Sequence, residues 1–144
     1  ISEEIKKIEA SETFAIRLEV LRKNIPLPFE FNGDFDKDTF HLGAFKDEKL
    51  IAVSSFMKAS NSNFDGKQFQ LRGMATLEEY QGVGAGKLMM QKAFEILKEL
   101  NTACLWCNAR VIAVPFYKKL GLEIFADKFE IKYVGDHFVM FKYL

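Results

Sequence analysis

A strand pattern turns into a helix pattern across one stretch of this chain, LRGMATLEEYQGVGAGKLMM, which runs from Leu71 to Met90. A strand-like run from Lys67 to Ala75 comes first, and a glycine-rich loop follows it. After the loop the apolar residues fall at helical spacing: Leu88, Met89, Ala93, Phe94, Ile96, Leu97 and Leu100. The segment therefore predicts a strand, a loop and a long helix, with the change of period at Gly82 and the end of the helix near Asn101.

The loop between this strand and this helix is suited to binding an anion. Backbone N–H groups at a helix start lack intrahelical partners, and the helix dipole adds partial positive charge, so phosphate binds there without basic side chains. Glycines let the backbone approach the anion closely. The alternative is a glycine-rich helix start that binds nothing, and the composition of the loop leaves both interpretations open.

Two common phosphate-binding motifs do not fit the loop. A Walker A motif ends in Gly-Lys-Ser/Thr and begins with a glycine, but here Gln81 stands at the first position and Leu88 follows Gly86 and Lys87. The dinucleotide fingerprint Gly-x-Gly-x-x-Gly requires a third glycine where Lys87 or Met89 stands. The sequence therefore disfavours a nucleoside triphosphatase and a Rossmann dinucleotide-binding domain.

A third pattern matches. Residues Gln81 to Gly86 fit Gln/Arg-x-x-Gly-x-Gly/Ala between a strand and a long helix, and this segment resembles the acetyl-CoA-binding core of the GNAT superfamily of N-acyltransferases. A second block, NARVIAVPFYKKLGL from Asn108 to Leu122, is similar to that family's Asn-x7-Phe-Tyr-x-Lys-x-Gly-Phe signature. The two blocks stand in the family's order and spacing. The departures are Leu77 and Glu78 in place of a common proline, and Leu122 in place of the usual Phe.

The resemblance implies an α/β fold with a mixed sheet of about seven mostly antiparallel strands, helices on both faces and a cofactor slot between two splayed parallel strands. We expect residues 1–144 to form one GNAT-like acetyltransferase domain. The parallel pair should be Lys67–Ala75 and Ala103–Asn108, because the long helix between them is a crossover connection. Further strands are predicted at Ile5–Ala10, Thr39–Phe45, Leu50–Met57, Leu122–Phe125 and His137–Tyr143.

Two shorter helices and one long loop are also predicted. A helix capped by Ser11 should run to Asn24, and a second should run from Ile112 to Leu120. Residues 24–38 contain prolines, a glycine and acidic residues, which indicate a loop. Its aromatic residues, Phe29, Phe31 and Phe35, are expected to join the core, although they could instead cover a substrate site.

The resemblance also assigns cofactor-binding residues. Backbone amides of the loop are expected to hold the CoA pyrophosphate, at Gln81, Gly82, Val83, Gly84, Ala85, Gly86 and Lys87. The end of the preceding strand is expected to pair with pantetheine as an added strand would, at Met74, Ala75 and Thr76. Asn108 matches a side chain near the pantetheine arm. Tyr117 matches the residue that often protonates the departing thiolate.

Neither motif identifies the residue that would act as a base and deprotonate the amine. His137 is the candidate, because it is the histidine near the C-terminal strand and imidazole is the side chain suited to act as a base at neutral pH. A histidine held only by hydrogen bonds at a strand end fits the same position. Glu78 and Glu79 compete for the role, as does an ordered water, while both glutamates also suit solvated or capping positions.

Cys104 and Cys107 form a Cys-x-x-Cys pair inside a predicted strand, so their side chains should face opposite sides. With His41 and His137 they could in principle supply four zinc ligands, but the spacing matches no known cluster. We therefore expect buried, inert thiols and no metal site.

Charge and composition limit the partners. The chain has 20 Lys+Arg and 20 Asp+Glu, so its net charge of zero disfavours nucleic-acid binding. No apolar run approaches the roughly 20 residues needed to cross a membrane, and the start, Ile1 to Ile8, is too charged for a signal peptide. We expect a cytoplasmic protein, either monomer or homodimer, whose partners are acetyl-CoA and an amine acceptor.

The function that the resemblance implies is N-acetyl transfer from acetyl-CoA to a primary amine by direct attack in a ternary complex. A backbone N–H near Met74 or Ala75 would polarise the oxyanion, and Tyr117 would donate a proton to the sulfur. A non-catalytic acyl-CoA sensor or interaction domain is the alternative. Small amines, polyamines, antibiotics, amino acids and proteins all remain open as acceptors.

Overall fold

Seven strands form one mixed sheet in the order β1-β2-β3-β4-β5-β7-β6 in the computed structural model, which describes residues 4–144. The strands are β1 (Glu4–Ile8), β2 (Phe40–Lys46), β3 (Lys49–Lys58), β4 (Gln68–Thr76), β5 (Cys104–Arg110), β6 (Glu123–Ile131) and β7 (Gly135–Tyr143). Neighbouring strands are antiparallel except β4 and β5. The predicted fold class and the predicted parallel pair are confirmed.

Within the described residues, three α-helices accompany the sheet: α1 (Phe14–Ile16), α2 (Ala85–Glu99) and α3 (Val114–Lys119). A 3-10 turn at Ala10–Thr13 precedes α1 and a π-helical turn at Arg17–Leu21 follows it, so one helical segment lies where the sequence predicts it. No helix of the described chain is long and apolar enough to cross a membrane.

The predicted cap of this first helical segment is wrong. Ser11 lies inside the first turn, and the residue that precedes the turn is Glu9. The carboxylate of Glu12 accepts a hydrogen bond from the Glu9 N–H at 2.8 Å. The Glu12 side chain, which is longer than that of a serine, reaches back to Glu9. The helical segment therefore starts before Ser11.

The two faces of the sheet carry different helices. Met89, Met90 and Leu97 of α2 are fully buried against strand residues such as Leu42 and Leu105, and α3 joins the same cluster. On the opposite face, Ile16 of α1 packs with residues of β3, β4 and the turn after β4, namely Val53, Ala75 and Leu77. Helices therefore cover both faces, as predicted.

The parallel pairing of β4 with β5 is short. Only four residue pairs join the two strands, from Gln68 opposite Cys104 to Leu71 opposite Cys107. Beyond Leu71, β4 continues for five residues to Thr76 without a partner on that side, while β5 pairs with β7 as far as Arg110. The two strands thus separate at Leu71 and leave a slot between them.

A β-bulge in β4 stands where the slot begins. Arg72 pairs with Ser55 and Ala75 pairs with Val53, so two residues of β4, Gly73 and Met74, oppose a single residue of β3. Gly73 has φ +65°, and a Cβ there would lie 2.9 Å from Cε2 of Phe31. A bulge bends its strand and increases the local twist, which directs β4 away from β5.

A buried ion pair ties the helical segment to the sheet. The Arg17 guanidinium donates to both carboxylate oxygens of Asp34, at 2.8 and 2.9 Å, and neither side chain is exposed to solvent. Arg17 also donates to Ser55 Oγ at 2.7 Å. The Ser55 hydroxyl lies 2.6 Å from His41 Nδ1, and His41 Nε2–H donates to the Asp34 carbonyl at 2.9 Å. We call these four residues the Arg17–Asp34 clamp.

Asp34 is ionised in the folded protein. Burial alone raises the pKa of a carboxyl group, but the hydrogen bonds from Arg17 and from the Phe31 N–H outweigh it, so the pKa of Asp34 lies below its usual value. A carboxyl group whose folded pKa is lowered contributes stability above its unfolded pKa, about 3.9. That contribution is lost as the pH falls from about 4 through the folded pKa.

Asp34→Asn should lower the free energy of unfolding at pH 7 by about 3–5 kcal/mol, because it leaves a buried arginine without its counter-ion. The variant should also lack the part of the stability loss below about pH 4 that Asp34 contributes. Chemical denaturation of both proteins between pH 7 and pH 3 measures the two effects.

Asp38→Asn is the matched control, because Asp38 is an exposed aspartate of the same loop. It should change the free energy of unfolding by less than about 0.5 kcal/mol. If the two variants were equally stable, the clamp would not hold the loop.

Candidate functional site

The slot between β4 and β5 is open on the β4 side along Arg72–Thr76. On its other edge, β4 stays paired with β3, where Ala75 lies opposite Val53 and Thr76 opposite Ala52. Within residues 4–144, no strand pairs with the slot-facing edge of this segment. Met74, Ala75 and Thr76 therefore present an unpaired strand edge, which an extended ligand can join by backbone hydrogen bonds.

The loop after β4 leads this edge into α2. The Gln81 side chain donates to the Thr76 carbonyl at 3.0 Å and fixes the loop to the strand end. Gly82 and Gly84 have φ of +82° and +93°, and a Cβ at either position would meet no atom within 4 Å. The two glycines therefore combine a left-handed backbone with open space.

The start of α2 presents free backbone donors beside this open space. Gly84 is the residue before the helix, and the Leu88 N–H bonds to its carbonyl at 3.0 Å as the first helical hydrogen bond. The amides of Ala85, Gly86 and Lys87 therefore have no intrahelical acceptor. With the helix dipole, these donors form a site suited to a phosphate group.

Gly86 has a packing role that the sequence did not indicate. A Cβ at this position would lie 3.1 Å from Cζ of Phe116 and 3.9 Å from the sulfur of Met74. The glycine thus lets α3 pack closely on the start of α2. A larger residue at Gly86 would disturb this contact as well as the anion site, so Gly84 is the cleaner position for a test.

Tyr117 lies in α3, within the core cluster that fills the α2 face of the sheet, and is 6% exposed. Burial, with a smaller effect of nearby Cys107, raises the pKa of Tyr117 far above its usual value. Its hydroxyl therefore stays protonated at any physiological pH. Burial also raises the pKa of the Cys107 thiol, to about 12.

Asn108 and His137 face the other side of the sheet. Residues of β5 alternate between the faces: Leu105 and Cys107 join the α2 cluster, whereas Cys104 and Trp106 pack on the opposite face. Asn108 continues the second series and is exposed just beyond the last β4–β5 pair.

His137 of β7 is paired with Arg110 near the end of β5 and is 4% exposed. Its Nδ1 lies 2.7 Å from the Gly135 carbonyl. Since a carbonyl only accepts hydrogen bonds, Nδ1 carries a hydrogen and Nε2 keeps the free lone pair in the neutral ring. The structure thus separates His137 and Tyr117 onto opposite faces of the sheet.

The remaining candidates occupy structural or exposed positions. Cys104 and Cys107 are free and buried, as predicted. No group of three or more His, Cys, Asp and Glu side chains that could hold a metal ion occurs within residues 4–144. Glu78 and Glu79 are exposed in a 3-10 turn after β4.

The aromatic residues of the 24–38 loop differ from one another. Phe31 is buried at 7% exposure, as predicted, whereas Phe29 is 36% and Phe35 is 69% exposed, so the core prediction is wrong for those two. Phe29 and Phe35 both contact Phe14 at the surface, with ring centroids 5.4 and 6.4 Å apart.

Two features near the slot have no signal in the sequence patterns. One is the Arg17–Asp34 clamp, whose members are up to 38 residues apart. The other is Arg72, which stands inside the deciding motif without any assigned role. A cavity of about 450 Å³ is lined by Lys67 and Phe69 near the start of β4 and by Asp34 and His41 of the clamp, and none of the predicted cofactor-binding residues lines it.

Comparison with known proteins agrees with this geometry. Residues 3–122 match the model of the acetyltransferase (GNAT) family. The chain is 36% identical over 143 residues to the uncharacterized N-acetyltransferase YitI of Bacillus subtilis (strain 168), a match that covers 98% of this chain and 96% of YitI.

Solved structures share the fold at low sequence identity. ElaA of Escherichia coli superposes with a TM-score of 0.82 at 19% identity and covers 98% of this chain and 99% of its own. The PaiA N-acetyltransferase of Thermoplasma acidophilum, solved in complex with coenzyme A, has a TM-score of 0.73 at 18% identity, with both chains fully covered. The family match and the extent of the likeness to YitI show that this chain belongs to the GNAT family of N-acetyltransferases.

Proposed function

We propose that this acetyltransferase moves the acetyl group of acetyl-CoA to a primary amine by direct attack in a ternary complex. The observation that carries the proposal is the unpaired edge of β4, which leads directly into the free amides at the start of α2. An extended pantetheine arm and a pyrophosphate are joined in the same order in acetyl-CoA. The presence of coenzyme A in the PaiA structure supports this choice of acyl carrier.

The residues of the slot fit this ligand. Met74, Ala75 and Thr76 would bind pantetheine through backbone hydrogen bonds on the unpaired edge. The amides from Gly82 to Lys87 would bind the pyrophosphate, and the open space beside Gly82 and Gly84 leaves room for it. Asn108 stands across the slot on β5, near where the arm would pass.

Acetyl-CoA supplies the thioester, and the chain's own groups act on the atoms that change. An N–H of Met74 or Ala75 at the bulge would donate to the carbonyl oxygen as it gains negative charge. The attacking amine loses a proton to a base, and the departing sulfur gains one from an acid. The products are an N-acetyl amine and free CoA.

Tyr117 is the proposed acid. A phenol whose pKa is raised by burial is a weak acid, so it protonates only a thiolate that is itself unusually basic. The same surroundings raise the pKa of the Cys107 thiol to about 12. A CoA thiolate released in this poorly hydrated region would become more basic for the same reason, and Tyr117 could then protonate it.

His137 is the proposed base. Its Nδ1–H is held by the Gly135 carbonyl, which leaves Nε2 as the basic nitrogen of the neutral ring. It lies on the face opposite Tyr117, so proton removal from the amine and proton delivery to the sulfur would occur on opposite sides of the thioester. This arrangement suits an amine that approaches the slot from the face opposite α2.

The reaction is tested by measuring free CoA release from acetyl-CoA with a panel of amines, including amino acids, polyamines and lysine peptides. We expect amine-dependent CoA release and a matching N-acetyl product by mass spectrometry. A protein that bound acetyl-CoA but released no CoA with any amine would instead be an acyl-CoA sensor.

Gly84→Val should weaken acetyl-CoA binding by at least about tenfold, because the added side chain enters the open space beside the amides and strains a left-handed residue. Isothermal titration calorimetry on the folded variant measures the effect. Gly135→Val is the matched control, because Gly135 also has a positive φ and open space around it. Its affinity should equal that of the original protein, and an unchanged affinity of Gly84→Val would place the anion site elsewhere.

Tyr117→Phe should lower kcat by roughly 10²- to 10⁴-fold, the usual contribution of a general acid, with little change in acetyl-CoA affinity. The variant removes the proton and almost no volume, so packing is preserved. Steady-state kinetics with a working amine, together with calorimetry, separate the two effects. A loss of less than about threefold would mean that Tyr117 only packs against the CoA arm.

A further inference from the structure

Three arginines surround one aromatic ring on the face of the sheet opposite α2. The guanidinium carbons of Arg17, Arg72 and Arg22 lie 4.0, 4.4 and 5.4 Å from the centroid of Phe31. We call these three residues the arginine cluster. Cation–π attraction to the ring offsets part of their mutual repulsion, but it does not neutralise their charge.

The cluster has more positive charge than its surroundings balance. Asp34 neutralises Arg17 within the clamp. Among residues 4–144, the Arg22 guanidinium donates only to uncharged backbone carbonyls, and the Arg72 guanidinium has no ion pair or hydrogen bond. Two guanidinium groups are therefore left without a counter-ion in the part of the chain that the structure describes.

The surroundings of the Arg72 and Arg22 guanidinium groups disfavour their positive charge. Burial, followed by the charges of Arg17 and Arg22, lowers the pKa of Arg72, and Asp34 is the one acid that opposes this effect. Burial and the charge of Arg17 likewise lower the pKa of Arg22. An anion placed beside them would relieve this repulsion.

The cluster lies at the point where the slot opens. Arg72 directly follows Leu71, the last residue of β4 that pairs with β5. Since Leu71 belongs to the α2 face, Arg72 faces the other side. Phe31 and the Nε of Arg17 stand over Gly73, 2.9 and 3.1 Å from where its Cβ would be. An amine that entered from this face would pass Arg72 on its way to the thioester.

We propose that Arg72, with Arg22 beside it, binds a carboxylate of the acceptor, so that the substrate class is amines that also carry a carboxylate, such as amino acids. This inference rests on the proposed function. A carboxylate fits because the free Arg72 offers a planar pair of N–H donors, which match its two oxygens. A phosphate matches less well, because it has a third oxygen that this pair of donors does not reach.

A purely structural role for Arg72 makes a different prediction. If the side chain only covered Phe31, its loss would weaken neutral and anionic ligands alike. A carboxylate site requires instead that only the anionic ligand be affected. The test therefore compares ligands that differ in this one group.

The experiment measures binding without turnover, by two-dimensional NMR titration in the presence of CoA. The probes are N-acetylglycine, N-acetyl-leucine, N-acetylmethionine and N-acetylphenylalanine, each paired with its own amide, which has no charge. We expect at least one acid to bind about tenfold or more tightly than its amide and to shift the backbone resonances around Arg72 and Gly73. Equal binding of acid and amide throughout, or no binding at all, would overturn the proposal.

Substitutions test whether the preference for the acid over its amide comes from the arginine cluster. Arg72→Gln should abolish it, and Arg72→Lys should retain only part of it, because lysine keeps the charge without the planar fork. Lys98→Gln, at the C-terminal end of α2, is the control for loss of one positive charge and should keep the full preference. Retention of the preference in folded Arg72→Gln would overturn the proposal.

Acetyl transfer separates this inference from the proposed function. With amino acids and their amides as acceptors, Arg72→Gln should raise KM for the acids about tenfold or more and leave kcat/KM for the amides within about threefold. If acids bound selectively but no amine were acetylated, the proposed function would fail while the carboxylate site would stand. If amides were acetylated as well as acids and bound equally, the site would fail while the function would stand.

Discussion

The short pairing of β4 with β5 is the constraint on which the site depends. Two parallel strands joined by α2 would ordinarily pair along their shared length, yet these pair over four residues only. The bulge at Gly73 and Met74 bends β4 away, and glycine is required there because Phe31 and Arg17 leave no room for a Cβ. The same bend leaves the edge of β4 unpaired and directs it towards the free amides at the start of α2. Strand geometry thus creates a binding slot from backbone groups alone.

A buried ion pair stabilises the face of the sheet opposite α2. The Arg17–Asp34 clamp joins the helical segment, the loop before β2, and β2 and β3 through buried side chains. It also holds Phe31 against the bulge, because the Asp34 carboxylate accepts from the Phe31 N–H. The Asp34 carboxylate neutralises Arg17, which is one of the three arginines around Phe31. The clamp that stabilises the loop therefore also leaves uncompensated positive charge next to the slot. Stability and the proposed acceptor specificity therefore have a common origin.

Local patterns in the sequence were sufficient to predict the strands, α2 and the two motifs that flank the slot. The Leu71–Met90 segment carries its own strand, turn and helix signals, so its structure is set by neighbours in the chain. The clamp could not be predicted in this way, since Arg17, Asp34 and Ser55 meet only when the sheet has formed. A related limit explains the wrong core assignment of Phe29 and Phe35, because hydrophobicity does not reveal which side of a loop faces the protein. The wrong cap at Ser11 has a local cause instead, since the Glu12 side chain bonds back to the Glu9 N–H. Gly86 was assigned to the cofactor by its motif, and its contact with Phe116 came from tertiary packing.

A crystal structure of the protein with bound CoA tests the use of the slot most directly. The pantetheine arm should lie between β4 and β5 and form hydrogen bonds with the backbone of Met74, Ala75 or Thr76, while the pyrophosphate contacts amides between Gly82 and Lys87. The strands should remain paired only from Gln68 to Leu71, with Tyr117 near the sulfur. CoA bound away from this edge, or β4 and β5 paired through Thr76 with no room for the arm, would contradict the backbone-formed slot.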